Sequence, residues 1–152
     1  MEIYHMEDIK NVLLVTNNVT EDEVNLIKTA IENVNLTITL SLVHVIPNLP
    51  TCYFNIPSMI TLAEQYYTEA KSSLTNIGEK LIIPKKNQWL ITGRIKSEVL
   101  RLAGKLNTNY ILASSTNIQD IYKTFAAKSE RKIAQVRSVH HINKLMNQLT
   151  FD

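Results

Sequence analysis

Residues 88–115 read QWLITGRIKSEVLRLAGKLNTNYILASS, and this stretch decides the fold class. QWLIT at 88–92 is a short apolar run that Gly93 interrupts. Ser97, Val99, Leu100, Leu102, Ala103 and Leu106 then recur at helical spacing as far as Asn107, and NYILASS at 109–115 is a second apolar run. A strand, a helix and a strand follow one another with a crossover long enough to make the strands parallel.

The same alternation extends toward the N-terminus. KNVLLVT at 10–16 is a continuous apolar run closed by Asn17-Asn18, the pattern of a strand buried on both faces. Thr20 and Glu23 have the spacing of a capping box, and Val24, Ile27, Ile31 and Val34 follow, predicting a helix from about Thr20 to Asn33. Leu36 to Ile46 is rich in β-branched residues and predicts a second buried strand, followed by a loop with three prolines from Pro47 to Pro57. From about Ser58, Ile60, Ala63, Tyr67, Ala70, Leu74 and Ile77 share one helical face, reaching Gly78 and breaking before Pro84. Beyond 115 the spacing of Ile121, Phe125, Ile133 and Val136 predicts a further helix. SVHHINKLMNQL fits either an alternating strand or a helix carrying Ile142, Leu145, Met146 and Leu149. The series describes one open α/β domain with a parallel sheet covered on both faces. Ligands of such sheets sit beyond the carboxyl ends of the strands, where the strand order reverses.

Composition narrows the function. At 152 residues, with 45% hydrophobic and 20% charged residues, one core suffices without disulfide or structural metal, and the single Cys52 admits no internal disulfide. LTITLSLVHVI at 36–46 is too short to span a bilayer. The acidic start MEIYHMEDIK lacks the basic region of a signal peptide, so the expectation is a reducing, cytoplasmic setting without membrane insertion. Only Gly78, Gly93 and Gly104 are present, too far apart for a glycine-rich phosphate loop. Residues 1–76 hold three basic and nine acidic side chains, and residues 77–152 hold thirteen and five. The basic half has neither aromatic interleaving nor a helix-turn-helix pattern, which argues against nucleic-acid binding.

The strand ends Thr16-Asn17, Val45-Ile46, Thr92-Gly93 and Ala113-Ser114-Ser115 supply no carboxylate, Lys or Cys, a poor inventory for acid–base or metal-assisted catalysis. His44 lies inside the second strand and reads as a packed, hydrogen-bonded residue. His140 and His141 have no Cys or acid at ligand spacing, so no metal site is expected. Ser114 and Ser115 lack a nucleophile elbow, and Cys52 lacks an adjacent base.

Taken in order, KNVLLVTNN, LVHV, IGEKLIIP and TGRIKSEVLRLAGKLNTNYILASS resemble the universal stress protein family. The resemblance implies one domain over 9–146, between an extension at 1–8 and a tail at 147–152. It implies a Rossmann-like fold of the HUP type, an open five-stranded parallel sheet in order 3-2-1-4-5 with helices on both faces. It also implies a cytoplasmic homodimer joined through the fifth strand, here segment 139–146, with a role in stress response. Nucleotide-binding members of the family carry an Asp at the end of the first strand and a G-x-x-G-x(9)-G-[S/T] segment after the fourth. Here Asn17 stands at the Asp position, Ser114 and Asn117 at the first two glycines, and Ala127-Lys128 near the last glycine and hydroxyl. Side chains at glycine positions obstruct close approach of backbone N–H groups to phosphate. The resemblance therefore points to the subfamily that binds no ATP and acts without catalytic turnover or cofactor. The alternative is an adenine-nucleotide switch or slow ATPase, holding ATP or AMP through Asn17, Val45, Gly93, Ser114, Ser115 and Lys128.

Overall fold

A computed structural model of the chain describes residues 11–32, 38–49, 55–108, 110–114 and 135–138. The sheet is built around β1 (Asn11–Val15), which pairs in parallel with β2 (Thr39–Ile46) on one side and with β4 (Tyr110–Ala113) on the other. Beyond β2 lies β3 (Gln88–Thr92), again parallel, so these four strands run in the order β3-β2-β1-β4. This is the α/β architecture expected from the alternating pattern, and the sequence boundaries of β1 and β3 lie within one residue of it.

Side-chain alternation explains why β1 has no polar residue after Asn11. Val12 and Leu14 point into one cluster, with Val24 and Ile27 of α1 (Glu21–Glu32) and Leu74 and Ile77 of α2 (Pro57–Leu81). Leu13 and Val15 point the other way, toward Val99, Leu102 and Ala103 of α3 (Ile95–Lys105). Both faces are thus covered, and β1 must be apolar on both. Val12, Leu13, Leu14 and Val15 are each no more than 1% exposed, and burial of such side chains stabilises by about 1.5–3 kcal/mol apiece. At the other end of β1, the Asn11 amide donates to the Asn107 carbonyl at 3.0 Å and fastens the strand to the turn after α3.

The end of α2 falls where the sequence places it, between Gly78 and Pro84. The helix passes through Gly78 to Leu81 and stops at Ile82, which takes the left-handed conformation (φ 56°). Ile83 N–H then reaches back to the Gly78 carbonyl at 2.8 Å, the longer hydrogen bond of a Schellman ending, and Pro84 prevents continuation. Gly78 serves packing instead. A Cβ there would lie 2.2 Å from Nε2 of Gln88, whose amide donates to the Ile83 carbonyl at 2.9 Å.

A difference from the sequence expectation concerns the C-terminal part. Val136, expected on a helix, lies in β5 (Gln135–Ser138), a four-residue strand parallel to β4. The strand beside β4 is therefore drawn from a segment ending where SVHHINKLM begins. The interface segment 139–146 lies outside the described residues, as do Cys52, His140 and His141.

Candidate binding crevice at the strand ends

The chain leaves β1 toward β2 and β3 and returns on its other side at β4, so the order reverses at β1. The crevice favoured for ligands lies at the carboxyl ends of β1 and its neighbours. Pairing registers bring Asn17, Val45, Gly93 and Ser114 to neighbouring positions along that edge. Ser115 and Lys128, the other two residues proposed from the sequence, lie outside the described residues.

The backbone ladder between β1 and β2 ends with Thr16 N–H donating to the Val43 carbonyl at 2.8 Å. Past that point the Asn17 side chain takes over. Its Nδ2 donates to the Val45 carbonyl at 2.8 Å, and the Val45 N–H donates to its Oδ1 at 2.9 Å. An amide side chain presents the same donor–acceptor pair as a peptide, so Asn17 extends the ladder by one more rung while its own backbone turns away. The turn is tight: Asn18 has φ 62°, a conformation Asn tolerates, and Val19 N–H donates to the Thr16 carbonyl at 3.2 Å.

His44 is half-buried beside this rung. Its Nδ1 lies 3.0 Å from Thr16 Oγ1, whose hydroxyl donates to the Val43 carbonyl at 3.2 Å. With the single hydroxyl proton committed to Val43, hydrogen-bond logic places a proton on Nδ1 of His44, which donates to Thr16. Burial pushes the His44 pKa below its ordinary 6.5, so the ring is neutral at pH 7. It serves as a structural donor and has no carboxylate among these partners to raise its basicity.

Next along the chain, the predicted capping box forms. Thr20 N–H donates to Glu23 Oε1 at 2.9 Å and Glu23 N–H to Thr20 Oγ1 at 3.2 Å, with Glu23 only 5% exposed. Helix N-termini attract anions through free N–H groups and the positive end of the dipole. Here Glu21, Asp22 and Glu23 occupy the first turn of α1 and answer that potential with the protein's own carboxylates.

Gly93 closes the opposite side of the edge. Its N–H donates to the Ile46 carbonyl at 2.9 Å, its φ is 155°, and a Cβ would lie 2.8 Å from Cγ of Glu98. Glu98 is itself ion-paired with Arg101. Ser114, 3% exposed, sits under the surface directly after β4. No group of three potential metal ligands occurs among the described residues, and no helix among them is long and apolar enough to cross a membrane.

Two features escaped the sequence reading. The Asn17–Val45 rung depends on the register between β1 and β2, which no local pattern reports. A groove of about 860 Å³ between α1 and α2 has Val24 and Ile77 beneath it and Glu21, Glu69, Glu79 and Lys80 around it, with Lys80 Nζ 3.7 Å from Glu21 Oε1. It is an acidic, open surface that begins at Val19, next to the end of β1.

No protein-family profile matches the chain. Among curated proteins, the chain is 30% identical over 94 residues to universal stress protein A homolog 1 of Coxiella burnetii (strain RSA 493 / Nine Mile phase I). The match takes in 60% of this chain and 65% of that protein's length. Two solved structures share the fold over 85% of this chain and 95% of their own: the hypothetical protein MJ0577, with TM-score 0.61 and 18% identity, and the hypothetical protein PH0823, with TM-score 0.51 and 12% identity. Over those 94 residues the chain is similar to a universal stress protein, and its α/β parallel sheet is of the kind found in MJ0577.

Proposed function

We propose that the protein is a stress-response regulator that acts through contacts with other proteins, as a cytoplasmic homodimer, without catalytic turnover and without a bound nucleotide. The observation that carries this reading is the rung between Asn17 and Val45. In nucleotide-binding members that the sequence resembles, the backbone at the position of Val45 contacts adenine, and an Asp stands in place of Asn17. A peptide N–H has one proton to give. Here that proton goes to Asn17 Oδ1, and the carbonyl is engaged by the same amide. An entering adenine must displace Asn17 Oδ1 before it can use the Val45 N–H, a cost that opposes binding from the start. The acidic first turn of α1 and the side chain of Ser114 at a glycine position add to that opposition.

Titration calorimetry with ATP, ADP and AMP tests the reading. The expected outcome is no saturable heat up to the millimolar range, where a Kd of 1 mM corresponds to only about −4.1 kcal/mol. Saturable one-to-one binding that weakens in Asn17→Ala would replace this reading with that of an adenine-nucleotide switch or slow ATPase.

A further inference from the structure

Helix α2 is longer than the sheet it covers. Its 25 residues extend about 37 Å, whereas the eight residues of β2 and five of β3 extend about 26 and 17 Å. The first buried residue of the helix is Ala70, thirteen positions in, followed by Leu74, Ile77 and Gly78. The apolar seam does not begin there. Ile56, Ile60, Ala63, Tyr67, Ala70, Leu74, Ile77 and Leu81 are separated alternately by four and three residues, the spacing of one continuous helical stripe. Its C-terminal half lies on the sheet, and its N-terminal half is only partly covered: Ile56 is 45% exposed, Ile60 37% and Tyr67 50%, with Tyr66 beside the stripe at 46% and Ala63 half-buried.

The composition changes at the same place. Residues 56–67, IPSMITLAEQYY, contain one charge, Glu64, whereas residues 68–81 contain four. A solvated helix face has no reason to shed charge while gaining Tyr, Met and Ile. Depletion of charge with enrichment of Tyr and Met is the signature of the core of a protein interface. With about 200 Å² for each fully exposed large side chain, these four expose roughly 350 Å². One side of a standard interface buries about 800 Å², of which about 56% is apolar, or roughly 450 Å². Four side chains thus bring most of the apolar area a stable pair requires.

We propose that this stripe is an interface between two copies of the chain, with the N-terminal halves of α2 packed antiparallel. The order of side-chain sizes selects the occupant and the direction. Set antiparallel about an axis between Thr61 and Leu62, Ile60 meets the partner's Ala63 and Ile56 meets the partner's Tyr67, so every stripe residue finds a large or small complement. On the flank Met59 lies two residues out of register with the partner's Tyr66, beside it and not opposite it. A parallel pair would set Ala63 against Ala63 and leave a gap. This interface uses no residue of segment 139–146 and goes beyond the homodimer proposed through that segment.

Native mass spectrometry and sedimentation of the full chain test it, with wild type, the double variant Ile60→Lys/Tyr67→Lys, and Leu145→Asp. The expected result is that the double variant loses one association step, its Kd rising roughly thirtyfold or more, while Leu145→Asp leaves that step in place. Self-association unchanged in the double variant overturns the proposal, whichever result Leu145→Asp gives. A wild type that stays monomeric also overturns it. A fall in Tm of the double variant would then assign the stripe to cover by another part of the same chain. In case the double variant does not fold, Ala63→Cys in a Cys52→Ser background provides a second readout. A short thiol-reactive bridge gives a covalent dimer if the interface exists and only monomer if it does not.

Discussion

Asn17 joins two strands with a single side chain, and its removal has a defined cost. Val45 is 2% exposed, so Asn17→Ala leaves a buried N–H without its acceptor and is expected to destabilise by about 1–3 kcal/mol in urea unfolding. Gly93 is held by two separable constraints, its φ of 155° and the crowding of Glu98. Gly93→Ala is expected to cost about 1–3 kcal/mol, and Glu98→Ala in the same chain to recover the part due to the contact while leaving the backbone part. His44 gives the crevice a pH dependence. Burial depresses its pKa in the folded state, so between 6.5 and that lower value the unfolded chain holds a proton that the folded chain does not. Its contribution to stability is therefore complete above about pH 6.5 and is lost as pH falls through the folded value. Comparison of urea midpoints at about pH 7.5 and 5.5 should show a smaller acid loss in His44→Gln than in wild type.

At the level of elements, the termini of α1 and α2 separate what the sequence carries locally from what it does not. The start of α1 was legible because a capping box is a four-residue pattern, and Thr20 and Glu23 make both of its reciprocal bonds. The break of α2 before Pro84 was legible too, but the role of Gly78 was not, because it admits the Gln88 amide, a partner ten residues away in sequence. The actual stop falls on Ile82, a β-branched residue in the left-handed region and 84% exposed. Ile82→Gly removes that conformational penalty at no cost in packing and should stabilise by about 1 kcal/mol, read as a rise in Tm. The short strand Gln135–Ser138 was missed for a related reason. QVRS has only four residues and a polar majority, so its apolar Val136 was absorbed into a helical spacing that began at Ile121.

Across the whole molecule, alternating strands and helices give the parallel sheet, the family resemblance implies the order β3-β2-β1-β4 that the structure has, and that order locates the crevice before any side chain is considered. That is why Asn17, Val45, Gly93 and Ser114 could be chosen from sequence as neighbours. What they do there was not legible, because the rung between Asn17 and Val45 requires residues 28 apart to meet in a specific register. The result is a crevice in which the strand-end peptide is already paired and the nearest helix N-terminus is already answered by carboxylates. The proposed function requires that this strand end hold no nucleotide. Native mass spectrometry of the protein purified from cells without added nucleotide tests this most directly. The account predicts the mass of the polypeptide alone in every oligomer observed. A species carrying the additional mass of ATP, ADP or AMP, one per subunit, would contradict it.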